Sequence, residues 1–166
     1  MKLRQYLAWL ALIGAGLAGC DNLDNPVTTA MKEIKPGVST GYDVRQKYGT
    51  PTLEWREDDG SVVWEFARTP EGKRNYQATI GPDHVVRDFR NVLTEENFAK
   101  VQKGMSRDQV RRLLGKPGRI AQLGLKNQEV WDWKYENPHN ADLRFNVHFN
   151  QQGVVEETSR NEEFKG

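Results

Sequence analysis

Cysteine is nearly missing from this sequence. Its 166 residues contain one, Cys20, so no internal disulfide can brace the fold. Histidine is scarce as well, and His84, His139 and His148 fall at no spacing that would gather a metal. The glycines are spread among turns and caps rather than collected into a phosphate cradle. No serine sits in a nucleophile elbow: Ser39 and Ser106 read as helix caps, while Ser61 and Ser159 flank strands or tail. The acidic pairs Asp58-Asp59 and Glu156-Glu157 are neighbours in sequence and read as solvated. With no catalytic constellation, the expectation is a protein that is not an enzyme and uses no cofactor, metal or small-molecule substrate. An excess of one charge is lacking too. The 24 basic side chains less Lys2 and Arg4, removed with residues 1–19 as argued next, leave 22 against 23 acidic ones, a formal net charge of −1. That balance excludes an electrostatic nucleic-acid binder. Only Arg107, Arg111, Arg112, Lys116 and Arg119 cluster locally, and they read as a solvated helix face, with anionic lipid as the alternative ligand.

Long apolar runs are confined to the N-terminus. Lys2 and Arg4 precede an apolar stretch from Tyr6 to Leu12, and Leu17-Ala18-Gly19-Cys20 closes it with small residues. The run is shorter than the roughly 20 residues a spanning helix needs. Leu-Ala-Gly-Cys is similar to the bacterial lipobox, which implies removal of residues 1–19 and a covalent N-acyl and diacylglycerol lipid on Cys20. Each buried methylene is worth about 0.8 kcal/mol, so several chains would hold the protein firmly to a membrane. Residues 20–29 are polar, contain Pro26 and read as a lipidated tether. Thr28 to Ile34 is read as a turn or two of helix before Pro36.

What is present is a phrase used twice. Gly104 to Gly118 reads as a punctuated helix: Ser106 caps it, Gln109 completes a capping box, and Met105 with Val110 forms a staple. Val110, Leu113 and Leu114 share the apolar face, Arg107, Asp108, Arg111 and Arg112 are expected in water, and Gly115 and Pro117 end the helix. Pro36 to Pro51 repeats the phrase with one extra residue, pairing Ser39 with Ser106, Val44 with Val110 and Gly49 with Gly115. Downstream, Ser61 to Ala67 aligns with Gln128 to Lys134 and Gly81 to Asp88 with Gln151 to Glu157, at an offset of 66 to 69 residues. This predicts an internal duplication. The units fall at 30–92 and 93–160, with 161–166 a polar tail.

Each unit predicts helices followed by an antiparallel sheet. In the first, strands run Leu53–Glu57, Val62–Ala67, Tyr76–Ile80 and Val85–Phe89. In the second, a helix from Leu93 to Lys103 capped by Thr94 precedes the motif helix. The strands then run Arg119–Leu125, Glu129–Tyr135, Leu143–Asn150 and Val154–Glu157. Period-2 alternation puts Trp131, Trp133 and Tyr135 on one side of their strand, read as core. The opposite face carries Asp132, Lys134, Arg144, Asn146 and His148, with Glu65, Gln77 and Thr79 in the first unit. That face is either solvated or a docking surface for another protein.

The lipobox, Gly104-Met105-Ser106, Val110, Leu114 to Pro117, Trp131 to Tyr135 and the strand–turn–strand Val147 to Val155 resemble the small protein A or OmlA family of outer-membrane lipoproteins, the BamE-like family. The first unit resembles it with Gly41 and Tyr42 at the helix start and Val38 in place of the methionine. The resemblance implies an α+β fold of tandem BamE-like domains, each a helix pair on a small sheet, three-stranded in the family. It also implies a lipid-anchored, periplasm-facing scaffold with protein partners, β-barrel assembly components among them. Outer-membrane residence is the expectation, although Asp21 after the lipidated cysteine resembles an inner-membrane retention signal. Tandem units of this shape also resemble the β-lactamase inhibitor protein, so inhibition of an enzyme through the sheet is the alternative role.

Overall fold

The computed structural model describes residues 33–124, 126–136 and 143–162. The signal segment, Cys20, Asp21, the tether, most of the expected Thr28–Ile34 turn, and His139 lie outside the described residues. Helix α1 (Gly41–Tyr48) precedes strands β1 (Leu53–Arg56), β2 (Val62–Ala67), β3 (Asn75–Ile80) and β4 (Val86–Asn91). Helices α2 (Glu95–Ala99) and α3 (Arg107–Leu114) precede β5 (Arg119–Leu123), β6 (Gln128–Tyr135), β7 (Leu143–Phe149) and β8 (Val155–Glu162). The strands form two four-stranded antiparallel meanders, β1-β2-β3-β4 and β5-β6-β7-β8. The fold is thus α+β with tandem units. Each sheet carries one strand more than the family resemblance implied.

The units repeat at the level of single hydrogen bonds. Both motif helices are eight residues long, carry a capping box and end on a glycine with positive φ, Gly49 and Gly115. Gly37 N–H donates to Val86 O as Gly104 N–H donates to Val155 O, at 2.8 and 2.9 Å. Val86 N–H donates to Ser39 O as Val155 N–H donates to Met105 O, both at 2.8 Å. Each third strand shifts register at one place, between Thr79 and Ile80 and between His148 and Phe149. These bonds correct the sequence alignment. Ser39 stands opposite Met105, and Val38, exposed at 76%, is the inserted residue. The α1 cap is therefore Thr40, which accepts from Asp43 N–H while Asp43 Oδ2 accepts from Thr40 N–H at 2.7 Å. Ser39 instead accepts from Lys35 N–H.

Helix α3 forms as its sequence prescribes. Ser106 Oγ accepts from Gln109 N–H, Gln109 Oε1 accepts from Ser106 N–H, and Val110 and Leu114 are buried. Helix α2 is shorter than the expected Leu93–Lys103 segment, because Thr94 caps it but Lys100 already closes the chain back on Asn97 O and Phe98 O. Its Phe98 still reaches the core and stacks on Phe145 at 4.3 Å. Strand β8 continues to Glu162, beyond the expected stop at Glu157, because β7 offers it ladder partners as far as Leu143.

Two cores result. Val44 of α1 packs with Phe66, Ala78, Ile80 and Val86 beneath Tyr48, Trp64 and Phe89. Val110 and Leu114 of α3 pack with Trp131, Trp133, Tyr135, Phe145 and Phe149. Every apolar strand residue in these sets lies on the helix-facing side, so the tryptophan stripe is core. The middle of the first sheet's opposite face, at Val63, Glu65 and Gln77, is not in solvent. It rests on α3, giving the layers α1, first sheet, α3, second sheet.

Candidate contact surface

The layer between the first sheet and α3 is polar. Helix ends leave carbonyls without partners, and the first sheet supplies donors for those of α3. Asn75 Nδ2 donates to Leu114 O and Lys116 O, both at 3.0 Å, and Gln77 Nε2 donates to Arg112 O at 2.8 Å. Glu65, fully buried, accepts from Lys116 N–H and pairs with Arg111, both at 3.1 Å. Burial pushes its carboxyl pKa up against the opposing pull of Arg111 and of the Lys116 N–H. At the rim, Arg112 bonds Glu57 and lies 5.5 Å from the centre of the Trp55 ring. The expectation that Glu65 and Gln77 face solvent or a foreign protein is therefore wrong. Their partner is the second unit of the same chain.

Carboxylates also neutralise four of the five residues of the basic cluster, Lys116 being exposed. Arg107 bonds Glu129 at 2.7 Å, Arg111 holds Glu65, Arg112 holds Glu57 and Arg119 holds Asp132. Arg111, expected in water, is half-buried. Glu129 is opposed by its burial, but bonds from Arg107 and Trp131 outweigh that and hold its carboxyl below the usual range.

The second sheet's outer face gathers the remaining candidates into one patch on β6 and β7. Register places Lys134 opposite Arg144, Asp132 opposite Asn146, and Val130 opposite His148. Asp132, only 3% exposed, accepts from Arg119 Nε at 2.9 Å and also from Arg144. Asn146 Nδ2 donates to Asn161 Oδ1 at 2.6 Å, and His148 Nε2 lies 2.9 Å from Ser159 Oγ. The exposed rim is Arg119, Glu157 and Ser159. Asp132, Arg144, Asn146 and His148 are thus held in one bonded array on this face, with Lys134 beside Arg144 in register.

Sequence reasoning missed Asn75, Arg111 and Gly115 as residues that join the units. The available signal was that Glu65 and Asp132 occupy the same strand position, each an acid where a solvated strand needs none.

A groove of about 430 Å³ beside α1 is lined by Gly41, Arg45, Glu54, Trp64 and His84, among others. Arg45 bonds Glu54 at 2.8 Å and stacks on Trp64, so its charge is matched within the groove. Among the described residues no group of His, Cys, Asp and Glu is arranged to hold a metal. No described helix is long and apolar enough to cross a membrane.

Residues 90–159 match the family model described as the Outer membrane protein assembly factor BamE domain. No curated protein matches the chain. Among solved structures, one described as an osmotically inducible lipoprotein, OsmE, is 26% identical, covers 39% of this chain and 68% of its own, and superposes with a TM-score of 0.36. A DUF4309 family protein, YjgB, from Bacillus subtilis subsp. subtilis str. 168 is 14% identical over 80% of this chain and 84% of its own, at a TM-score of 0.31. A protein from Streptococcus mutans described as a β-lactamase inhibitor is 12% identical over 83% and 97%, at 0.35. At these scores none of the three fixes the fold or role of this chain.

Proposed function

We propose, from the match of residues 90–159 to the BamE domain model, that the protein is a lipid-anchored, periplasm-facing scaffold that steadies the outer-membrane β-barrel assembly machinery. The observation that carries this reading is that the matched segment holds the outer face of β6 and β7. Asp132, Lys134, Arg144, Asn146 and His148 are the residues assigned to partner contact. The work is binding rather than catalysis. Cys20 supplies the lipid, and attachment raises the effective concentration of the contact face beside a membrane-embedded partner, so modest affinity suffices.

Purification of the acylated protein from detergent-solubilised envelopes tests the reading. Co-purification of β-barrel assembly components is expected, and should weaken in an Arg119→Glu, Ser159→Arg variant at the rim of the patch. Recovery of a soluble hydrolase instead would favour inhibition of an enzyme. A Cys20→Ser variant should leave the membrane fraction, and its retention there would refute the anchor.

A further inference from the structure

Among the described residues, Val38 and Tyr42 are the most exposed large apolar side chains, at 76% and 70%. Both stand where the first unit begins, and the backbone fixes both. Val38 and Ser39 N–H donate to Lys35 O at 3.1 and 2.8 Å, closing a turn that Gly37 N–H ties to Val86 O. Tyr42 lies in α1 two residues before the buried Val44. At 3.6 residues per turn, that spacing puts its ring on the side of the helix turned away from the first sheet.

The duplication shows what these two side chains replace. Equivalent backbone bonds match Gly37 with Gly104, and the two capping boxes match Thr40 with Ser106. Pro36, Gly41 and Tyr42 therefore stand where Lys103, Arg107 and Asp108 stand in the second unit, and Val38 has no counterpart. Three charged positions have become uncharged, and residues 36–42 carry no charge at all. The next acid, Asp43, is turned back onto the helix cap, its Oδ2 accepting from Thr40 N–H at 2.7 Å and from Thr40 Oγ1 at 2.8 Å. The exchange does not serve the first core, to which neither Val38 nor Tyr42 contributes. It makes an uncharged, apolar tip out of a segment that is charged in the second unit.

Where the chain leads says what covers this tip. Ile34, buried in the first core, comes four positions before Val38 and fourteen after Cys20. Fourteen residues reach at most about 50 Å, so a lipid on Cys20 keeps a bilayer within range of this turn, the first described surface that the chain enters. We propose that Val38 and Tyr42 enter the bilayer interface, with the Tyr42 hydroxyl left among the headgroups. The proposal rests on the reading of Cys20 as a lipid anchor. Tethering supplies the effective concentration that makes so small a contact count, and the contact sets orientation rather than attachment. Because α1 is the outermost layer at one end of the stack, the outer face of β6 and β7 at the other end is then turned toward the periplasm.

The test uses the full acylated chain in phosphatidylcholine vesicles. Lipid occupies the Cys20 thiol, so Gln46→Cys and Asp108→Cys each offer a single thiol for a nitroxide label. Both positions are exposed; Gln46 lies one turn beyond Tyr42, and Asp108 is the second unit's equivalent of Tyr42. Electron paramagnetic resonance reads how freely a water-soluble nickel chelate reaches each label. On vesicles, access at residue 46 should fall about fivefold while access at 108 is unchanged, the shift that a contact worth about 1 kcal/mol gives. Val38→Glu with Tyr42→Glu should restore it, and circular dichroism checks that this variant stays folded. Equal access at 46 and 108, or protection at 46 that survives the double substitution, overturns the proposal. Mass spectrometry separates the two readings. A chain without lipid on Cys20 refutes the anchor and this contact together, whereas an acylated chain with an accessible residue 46 refutes the contact alone.

Discussion

A Cβ on Gly115 would stand 3.0 Å from Asn75 Nδ2 and 3.4 Å from the Glu65 carboxyl carbon, at a φ of 74° that side-chain-bearing residues rarely adopt. The carbonyl of the same residue accepts from buried Trp133 Nε1 at 3.1 Å. Gly115 is thus where the first sheet, α3 and the core of the second sheet meet. Gly115→Ala should cost about 2 kcal/mol or more from backbone strain with crowding added, measured by urea denaturation. The equivalent Gly49→Ala, with nothing near its Cβ position, should cost the strain alone. Glu65 supplies a second residue-scale test. Its carboxyl pKa is raised in the fold, so its contribution is stabilising below the ordinary carboxylate range and is lost as pH rises through the raised value. Relative to the parent, Glu65→Gln should therefore lose ground as pH is lowered from 7 toward 4. A constant difference in midpoint across that range would contradict the assignment.

Among the elements, α3 is the one that both units need. Val110 and Leu114 enter the second core, while its last carbonyls and Arg111 serve the first sheet. Removing its cap by Ser106→Ala should cost about 1 kcal/mol. Leu114→Ala should cost roughly 2 to 5 kcal/mol as a cavity in the second core, and should loosen the first sheet as well. Hydrogen exchange distinguishes the two effects, since the Leu114 variant should raise exchange in β2 and β3 although neither contributes to its core.

Most of α3 was legible in its sequence, because cap, staple, apolar face and glycine stop each act within a few residues. The α1 cap was less so. Ser39 and Thr40 are both good caps, and only the bond from Val86 N–H to Ser39 O decides which of them is extended and which starts the helix. The polar face of the first sheet misled for a different reason. Glu65, Asn75 and Gln77 alternate with apolar residues as solvated positions do, and a helix end needing donors demands the same side chains that water tolerates.

At the scale of the whole molecule, units of about 65 residues bury only about 60% of their unfolded surface and are marginal alone. Stacking one on the other through a polar joint addresses that, at the expense of one of two equivalent faces. The chain should consequently unfold as one body although it contains two cores. The most direct measurement is urea unfolding followed in parallel by tryptophan fluorescence and far-ultraviolet circular dichroism, on the parent and on an Asn75→Ala, Gln77→Ala pair. A single coincident transition in the parent that separates into two in the pair is the result predicted. Two transitions in the parent, or a pair that still unfolds in one step at an unchanged midpoint, would show that the first sheet and α3 are not joined as described.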